Sequence, residues 1–201
     1  MAYSDFSRED LKTKFGVKFK SKRLFLEVAT IEPSEWLLGS LKRGRRQGYS
    51  SEKARSERLV SPVLTEINDR NDYSFAILSG MDMNVDNKQG LNGECDFILS
   101  YHGAQDFISA PVFCITEAKK QDIEQGSIQC AAQLIGAKLL NEKEQESVDV
   151  LFGCSTSGEA WRFIQYENNE ITLDEDRYLL SELPILLGVL QTIIDKSKND
   201  K

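Results

Sequence analysis

The sequence predicts an α/β (α+β) fold with the element order αβββαβ, preceded by an N-terminal extension. Three observations carry this expectation. Short runs rich in β-branched and aromatic residues, Tyr73 to Met83, Glu94 to Tyr101 and Pro111 to Ala118, follow one another between Gly, Ser and Pro boundaries. Helical stripes flank them, with Val60, Val63, Leu64 and Ile67 before and Ile128, Ala131, Ala132, Ile135 and Leu139 after. A further apolar run, Val148 to Cys154, follows the second helix.

Taken in chain order, Ser7 and Asp10 have the spacing of a capping box, which opens a short helix from about Arg8 to Phe15. Val17 to Ile31 alternates basic and apolar residues, then turns apolar at Leu24-Phe25-Leu26, and reads as one or two strands. Pro33 and Ser34 open a helix through Trp36, Leu37, Leu38 and Leu41 that stops near Gly48. Ser50 or Ser51 caps the next helix, which reaches about Asn68, with Pro62 as a source of bending. The three strands follow, with Asn84 to Gly93 as a polar loop between the first two. The long helix runs from Ile123 to about Asn141, and Glu142 to Ser147 is a charged turn before the Val148 strand. Ser155 to Gly158 connects to a strand over Ala160 to Tyr166, and Asn168-Asn169 turns the chain into Ile171-Thr172-Leu173. Leu179 to Ile194 is an apolar C-terminal helix. Residues 1–49 are expected as an extension packed on a core domain of residues 50–201, together one globular domain.

Composition narrows the class. A hydrophobic share of 40% with 28% charged residues fits a soluble globular chain. No stretch approaches a membrane span, and the first residues lack the apolar core of a signal peptide. Cys95, Cys114, Cys130 and Cys154 form no CxxC pair and read as buried free thiols, which points to a cytoplasmic location. His102 is the only histidine, which speaks against a zinc site or a Cys–His nucleophile. No phosphate-loop or dinucleotide glycine pattern is present. The net charge of −7 is unevenly spread: Lys12 to Arg58 holds 13 Lys or Arg against 5 Glu, whereas the chain from Leu59 onward carries a net −13. Lys42, Arg43, Arg45 and Arg46, followed by Lys53 and Arg55, form the densest basic segment and are candidates for phosphate contacts. A solvated helix end, where cations are favourable in any case, explains the same residues equally well.

The candidate site lies where two strands meet. Asp96 sits in Gly93-Glu94-Cys95-Asp96-Phe97-Ile98-Leu99, and Glu117-Ala118-Lys119 ends the run Val112-Phe113-Cys114-Ile115-Thr116. The link contains His102, Gly103 and Ala104, as suits an antiparallel hairpin. A symmetric hairpin sets Asp96 opposite Glu117, with Lys119 on the same face. Acidic-any-Lys also occurs at Asp10-Leu11-Lys12 and Asp86-Asn87-Lys88, but only the Glu117 copy follows an apolar strand and has an acidic partner at hairpin distance. Two carboxylates and an ammonium converging on one sheet face suit a divalent cation and phosphate chemistry. Glu57 extends the first helix's apolar stripe, three residues before Val60 and seven before Leu64. A carboxylate on a buried face is costly unless paired or metal-bound. Gln129 and Gln133, four apart, share a face of the second helix and flank its core stripe, which can point both at the sheet end that carries Lys119; taken alone, a pair of surface glutamines is the simpler reading.

The order of helix with Glu57, strands with Asp96 and Glu117-Ala118-Lys119, helix with Gln129, then strand resembles the PD-(D/E)xK, or restriction-endonuclease-like, nuclease superfamily over roughly Ser50 to Tyr166. The resemblance implies a mixed central sheet flanked by helices and a metal-dependent nuclease acting on nucleic acid, DNA more than RNA. It implies Mg²⁺ or Mn²⁺ held by Asp96 and Glu117, with Glu57 and the Ala118 carbonyl as further ligands, and Lys119 at the attacking water. Gln129 corresponds to a helix glutamine found in some branches. Two positions depart from the pattern: Cys95 stands where the named motif has Pro, and Gln133 where the glutamine branch has Tyr. A catalytically silent nucleic-acid-binding or assembly module on the same fold is the alternative. Leu179-Leu180 and Pro184 to Ile194 offer a surface for a homodimer or a partner subunit, although a core-packing helix is the simpler use.

Overall fold

Asn168 and Asn169 both adopt positive φ, 49° and 59°, the conformation that a two-residue hairpin turn requires. They join the longest antiparallel strand of a single sheet to its neighbour. In the computed structural model, which describes residues 1–101, 106–119 and 122–199, the strands are β1 (Lys18–Lys22), β2 (Ala76–Asp82), β3 (Glu94–Ser100), β4 (Val112–Ala118), β5 (Val150–Thr156), β6 (Ala160–Glu167), β7 (Glu170–Asp174) and β8 (Tyr178–Leu179). Among the described residues they pair in the order β1-β7-β6-β5-β4-β3-β2, with β8 beside β6. β1/β7 and β4/β5 are parallel and the other pairs antiparallel, so the sheet is mixed.

The helices are α1 (Arg8–Phe15), α2 (Glu35–Gln47), α3 (Glu52–Arg55), α4 (Ser61–Arg70), α5 (Ile123–Lys143) and α6 (Leu183–Asn199). α5 lies across β4 and β5; α4 packs on β2 and against α6. The order α4-β2-β3-β4-α5-β5 is the expected αβββαβ core, and the fold is a mixed α/β sheet flanked by helices. Local chemistry starts the helices where the sequence indicates. Ser7 Oγ accepts from Asp10 N at 3.1 Å while Asp10 Oδ2 accepts from Ser7 N at 2.9 Å. Ser34 and Ser51 cap α2 and α3 through Leu37 N and Ala54 N. No helix among the described residues is long and apolar enough to cross a membrane. The four cysteines are buried and unbridged.

Four expectations need correction. The stretch from 23 to 34 is not a strand; only Lys18–Lys22 pairs, along β7, and the chain then runs irregularly past α6, where Ile31 N donates to Pro184 O at 3.0 Å. The C-terminal helix starts at Leu183 instead of Leu179, because Tyr178–Leu179 pair with β6 and a 3-10 turn over Leu180–Glu182 intervenes. α5 is not a one-stripe helix. Its middle is buried on almost every side, between the sheet and the N-terminal turn Tyr3–Asp5, whose Tyr3 ring packs on Gly136. Consequently Gln129 and Gln133 are buried, not surface residues.

The fourth correction concerns the helix before β2. It is interrupted by a π-turn over Ser56–Val60, in which Ser61 N donates to Ser56 O five residues back. Pro62, at the second position of α4, has no N–H to return to Arg58 O, which removes the α-helical bond at that point. The wider turn breaks the 3.6-residue phase. Leu59 and Val60 stay buried, but Glu57 falls on the exposed side instead of extending the stripe of Val60, Val63 and Leu64. α2 docks directly on this turn. A β-carbon at Gly44 would stand 2.7 Å from Arg58 O, so glycine sets how close the two segments come.

Candidate active site

The β3–β4 hairpin has the register that the motif spacing predicts. Phe97 pairs with Thr116, Ile98 with Ile115 and Leu99 with Cys114, before a bulge at Leu99/Ser100. The same register carried one residue outward sets Asp96 against Glu117. The connection at residues 102–105, including His102, Gly103 and Ala104, lies outside the described residues, as does Lys120.

Asp96 is half-buried and Glu117 is 3% exposed. Asp96 Oδ2 accepts from Ala118 N at 2.7 Å, a bond that ties β3 to the tripeptide itself. Glu117 Oε1 accepts from Lys119 Nζ at 2.9 Å and from Gln129 Nε2 at 2.6 Å. Glu117 Oε2 accepts from Gln133 Nε2 at 2.8 Å. Asp96, Glu117, Lys119 and Gln129 are therefore brought together, with Gln133 added one turn along α5. Lys119 N donates to Thr156 O at 2.7 Å, which extends β4/β5 pairing past the end of β4 and holds the lysine over the sheet end.

Burial dominates the electrostatics. It pushes the Glu117 carboxyl up to about 7, helped by the neighbouring charge of Asp96 and opposed by Lys119 and the Gln133 amide. Burial also raises Asp96, against the Ala118 N–H and the Lys119 charge. For Lys119 desolvation works downward, but Glu117, Glu52 and Asp96 outweigh it and its pKa rises. Lys119 thus stays an ammonium while the two carboxyls compete for a counter-charge. Among the described residues no three His, Cys, Asp or Glu side chains gather to hold a metal. Two carboxylates are too few for a calcium or zinc cage but suit Mg²⁺, which keeps several waters and takes one or two protein carboxylates.

Glu57 is exposed. The first-helix carboxylate whose charge acts on both Asp96 and Lys119 is Glu52, five residues earlier. Its place depends on the π-turn, for which the sequence offers no signal beyond Pro62. Two further residues escaped the sequence reading. Ser155 is the register partner of Glu117 across β4/β5, fully buried, and its Oγ has no hydrogen-bond partner among the described residues. Gly126 lets the first turn of α5 close over the site: a β-carbon there would overlap Ser155 Oγ and stand 2.8 Å from Lys119 Cγ. A glycine inside a helix pattern, as here, is a sequence signal of close approach.

The basic segment divides. Lys42, Arg43, Arg45, Arg46 and Lys53 are exposed. Arg55 is not: its side chain is 15% exposed, donates to Ser157 O at 2.8 Å, lies 3.5 Å from Glu159 and covers the Tyr49 ring. Arg58 donates to Gln47 O and Gly48 O and closes the end of α2.

No protein-family model and no curated protein matches the chain. Among solved structures it is similar to the type IIG restriction endonuclease BpuSI, with a TM-score of 0.48 and 16% identity over 69% of this chain and 16% of that one, so it spans about a sixth of that protein's length.

Proposed function

We propose that the chain is a metal-dependent nuclease of the PD-(D/E)xK type, hydrolysing phosphodiester bonds of nucleic acid, DNA in the first place. The observation that supports this reading is the arrangement of Asp96, Glu117 and Lys119 at one sheet end, with Lys119 Nζ 2.9 Å from Glu117 and the Gln129 amide fixing the same carboxylate. Asp96 and Glu117, with the Ala118 carbonyl, would hold Mg²⁺ or Mn²⁺. The bound ion would supply Lewis acidity and a water of lowered pKa. Lys119 would leave Glu117, hydrogen-bond the attacking water and offset phosphate charge. Gln129 would keep the Glu117 carboxylate in place as the lysine moves. Glu52, rather than Glu57, is the first-helix carboxylate we assign beside the site. Lys42, Arg43, Arg45, Arg46 and Lys53 would attract the backbone without regard to sequence.

The experiment is cleavage of single- and double-stranded DNA and RNA with Mg²⁺ or Mn²⁺, by the unmodified chain and by Lys119→Ala. The reading expects metal-dependent cleavage that falls by at least ~10²-fold in the variant, as for loss of a group that stabilises transition-state charge. A second reading, a silent nucleic-acid-binding module, is favoured by one feature: both Glu117 oxygens already have protein partners. Nucleic-acid binding with neither cleavage nor metal binding would select it.

A further inference from the structure

Gln133 is fully buried, and its side chain is satisfied on one end only. Nε2 donates to Glu117 Oε2 at 2.8 Å and more weakly to Glu94 O at 3.4 Å. Oε1 finds no donor among the described residues. Turning the amide over would not help, because both neighbours of Nε2 are acceptors and the carbonyl oxygen would then face a carboxylate. A buried acceptor left without a partner costs stability, and an apolar side chain of the same length would avoid that cost. What glutamine supplies at this position is the donor to Glu117.

The two oxygens of Glu117 are held differently. Oε1 is shared by Gln129 and by Lys119, whose side chain is 23% exposed. Oε2 is held from inside the protein by Gln133. Gln129 and Gln133 stand one turn apart on α5, a helix packed on β4 and β5, so the pair grips the carboxylate from a rigid element. If Lys119 withdraws, Oε1 loses its more exposed partner and keeps Gln129, while Oε2 stays fixed by Gln133.

We infer that Gln133 is a positioning residue of the metal site: it orients the Glu117 carboxylate so that Oε1 is presented to the divalent ion. This rests on the nuclease reading above, in which Glu117 is a metal ligand. Outer-shell partners of metal-ligating carboxylates typically change metal affinity by about 10–100-fold when removed.

Gln133→Met keeps the length of the side chain, removes the donor and removes the orphaned oxygen. Calorimetric titration with Mn²⁺ should show Kd raised about 10–100-fold relative to the unmodified chain. Thermal unfolding without metal should remain cooperative, because packing is kept. Cleavage should recover toward the unmodified rate at saturating Mn²⁺, which a residue needed only for folding would not produce. An independent measurement needs no variant. The Gln133 side-chain amide resonances, assigned through the residue's own carbons, should shift when Mg²⁺ is added to the unmodified chain. An unchanged Mn²⁺ affinity in Gln133→Met, or amide resonances that ignore Mg²⁺ while the chain binds it, overturns the role of Gln133 alone. An unmodified chain that binds neither ion overturns the metal reading of the site and this role with it.

Discussion

The Asp96–Glu117–Lys119 corner and the basic face of α2 contain the chain's two most conspicuous groups of charges, and they are built in opposite ways. At the corner the charges are few, Glu117 is buried and Asp96 and Lys119 are half-buried, and hydrogen bonds from α5 and the β4 backbone define the positions of the two carboxylates. On α2 the charges are many and exposed. The basic segment read from the sequence also contains Arg55 and Arg58, which serve the fold by gripping the β5–β6 turn and the end of α2. A count of charges in a sequence therefore overstates the surface field, whereas a pair of charges at hairpin spacing understates how tightly a site is held.

The strongest test of this contrast is pH. Glu117 is raised from 4.5 to about 7 by burial, so between those values the folded chain binds a proton that the unfolded chain releases. The associated stability is fully present below about 4.5 and is lost as pH rises through 7. At about 1.4 kcal/mol per pKa unit, the loss approaches an upper bound of roughly 3 kcal/mol. Glu117→Gln removes the titration. In metal-free buffer, denaturant unfolding from pH 4.5 to 8 should show the stability difference swinging toward the variant by up to that amount. A difference that stays flat across this range would mean that the Lys119 ion pair fully compensates burial, and that the corner is no more demanding than the surface.

These same physical differences decided what could be read in advance. The hairpin register follows from strand alternation and symmetric closure, both local rules, and Phe97/Thr116 through Leu99/Cys114 obey it despite the bulge that follows. The capping serines and the Asn168-Asn169 turn are local as well, and they stand where the sequence indicates. The placement of Glu57 on the buried stripe failed because helical phase was extrapolated through a π-turn, which depends on how α2 and Pro62 crowd Arg58. Gln133 was read as a surface residue and Ser155 was passed over because their burial comes from tertiary packing: the Tyr3 turn behind α5, and the α5 N-terminus over β5. The polar residues that support the corner looked like surface residues for that reason.

A smaller effect sharpens the packing side of the comparison. Gly126→Ala would insert a methyl group that overlaps Ser155 Oγ and stands 2.8 Å from Lys119 Cγ. Overpacking of this kind costs about 1–3 kcal/mol. Ser155→Ala alone should be close to neutral or stabilising, since its hydroxyl has no hydrogen-bond partner among the described residues. Combined, the two changes should cost less than their sum, because the nearest clash has been removed; Lys119 remains as a flexible neighbour. Strict additivity in thermal unfolding would show that α5 does not close on Ser155 as described.

On the basic face the expected stability change is the smallest, and its distribution is what matters. Replacing Lys42, Arg43, Arg45 and Arg46 together by Ala should alter stability by no more than about 0.5 kcal/mol per site, as for exposed positions without specific partners. If these residues meet phosphates, the salt dependence of nucleic-acid binding should flatten by up to ~0.9 in the log–log slope for each phosphate that is no longer neutralised. Arg55→Ala should do the reverse. It removes the donor to Ser157 O and the ion pair with Glu159, so unfolding should become easier by about 1–3 kcal/mol with little change in the salt slope. The two variants share one sequence segment and one sign of charge, so opposite outcomes can come only from where the folded chain puts the guanidinium. A salt slope that flattens by as much as ~0.9 in Arg55→Ala would place Arg55 on the binding face and erase the division between the cations that build the helix junction and those that face solvent.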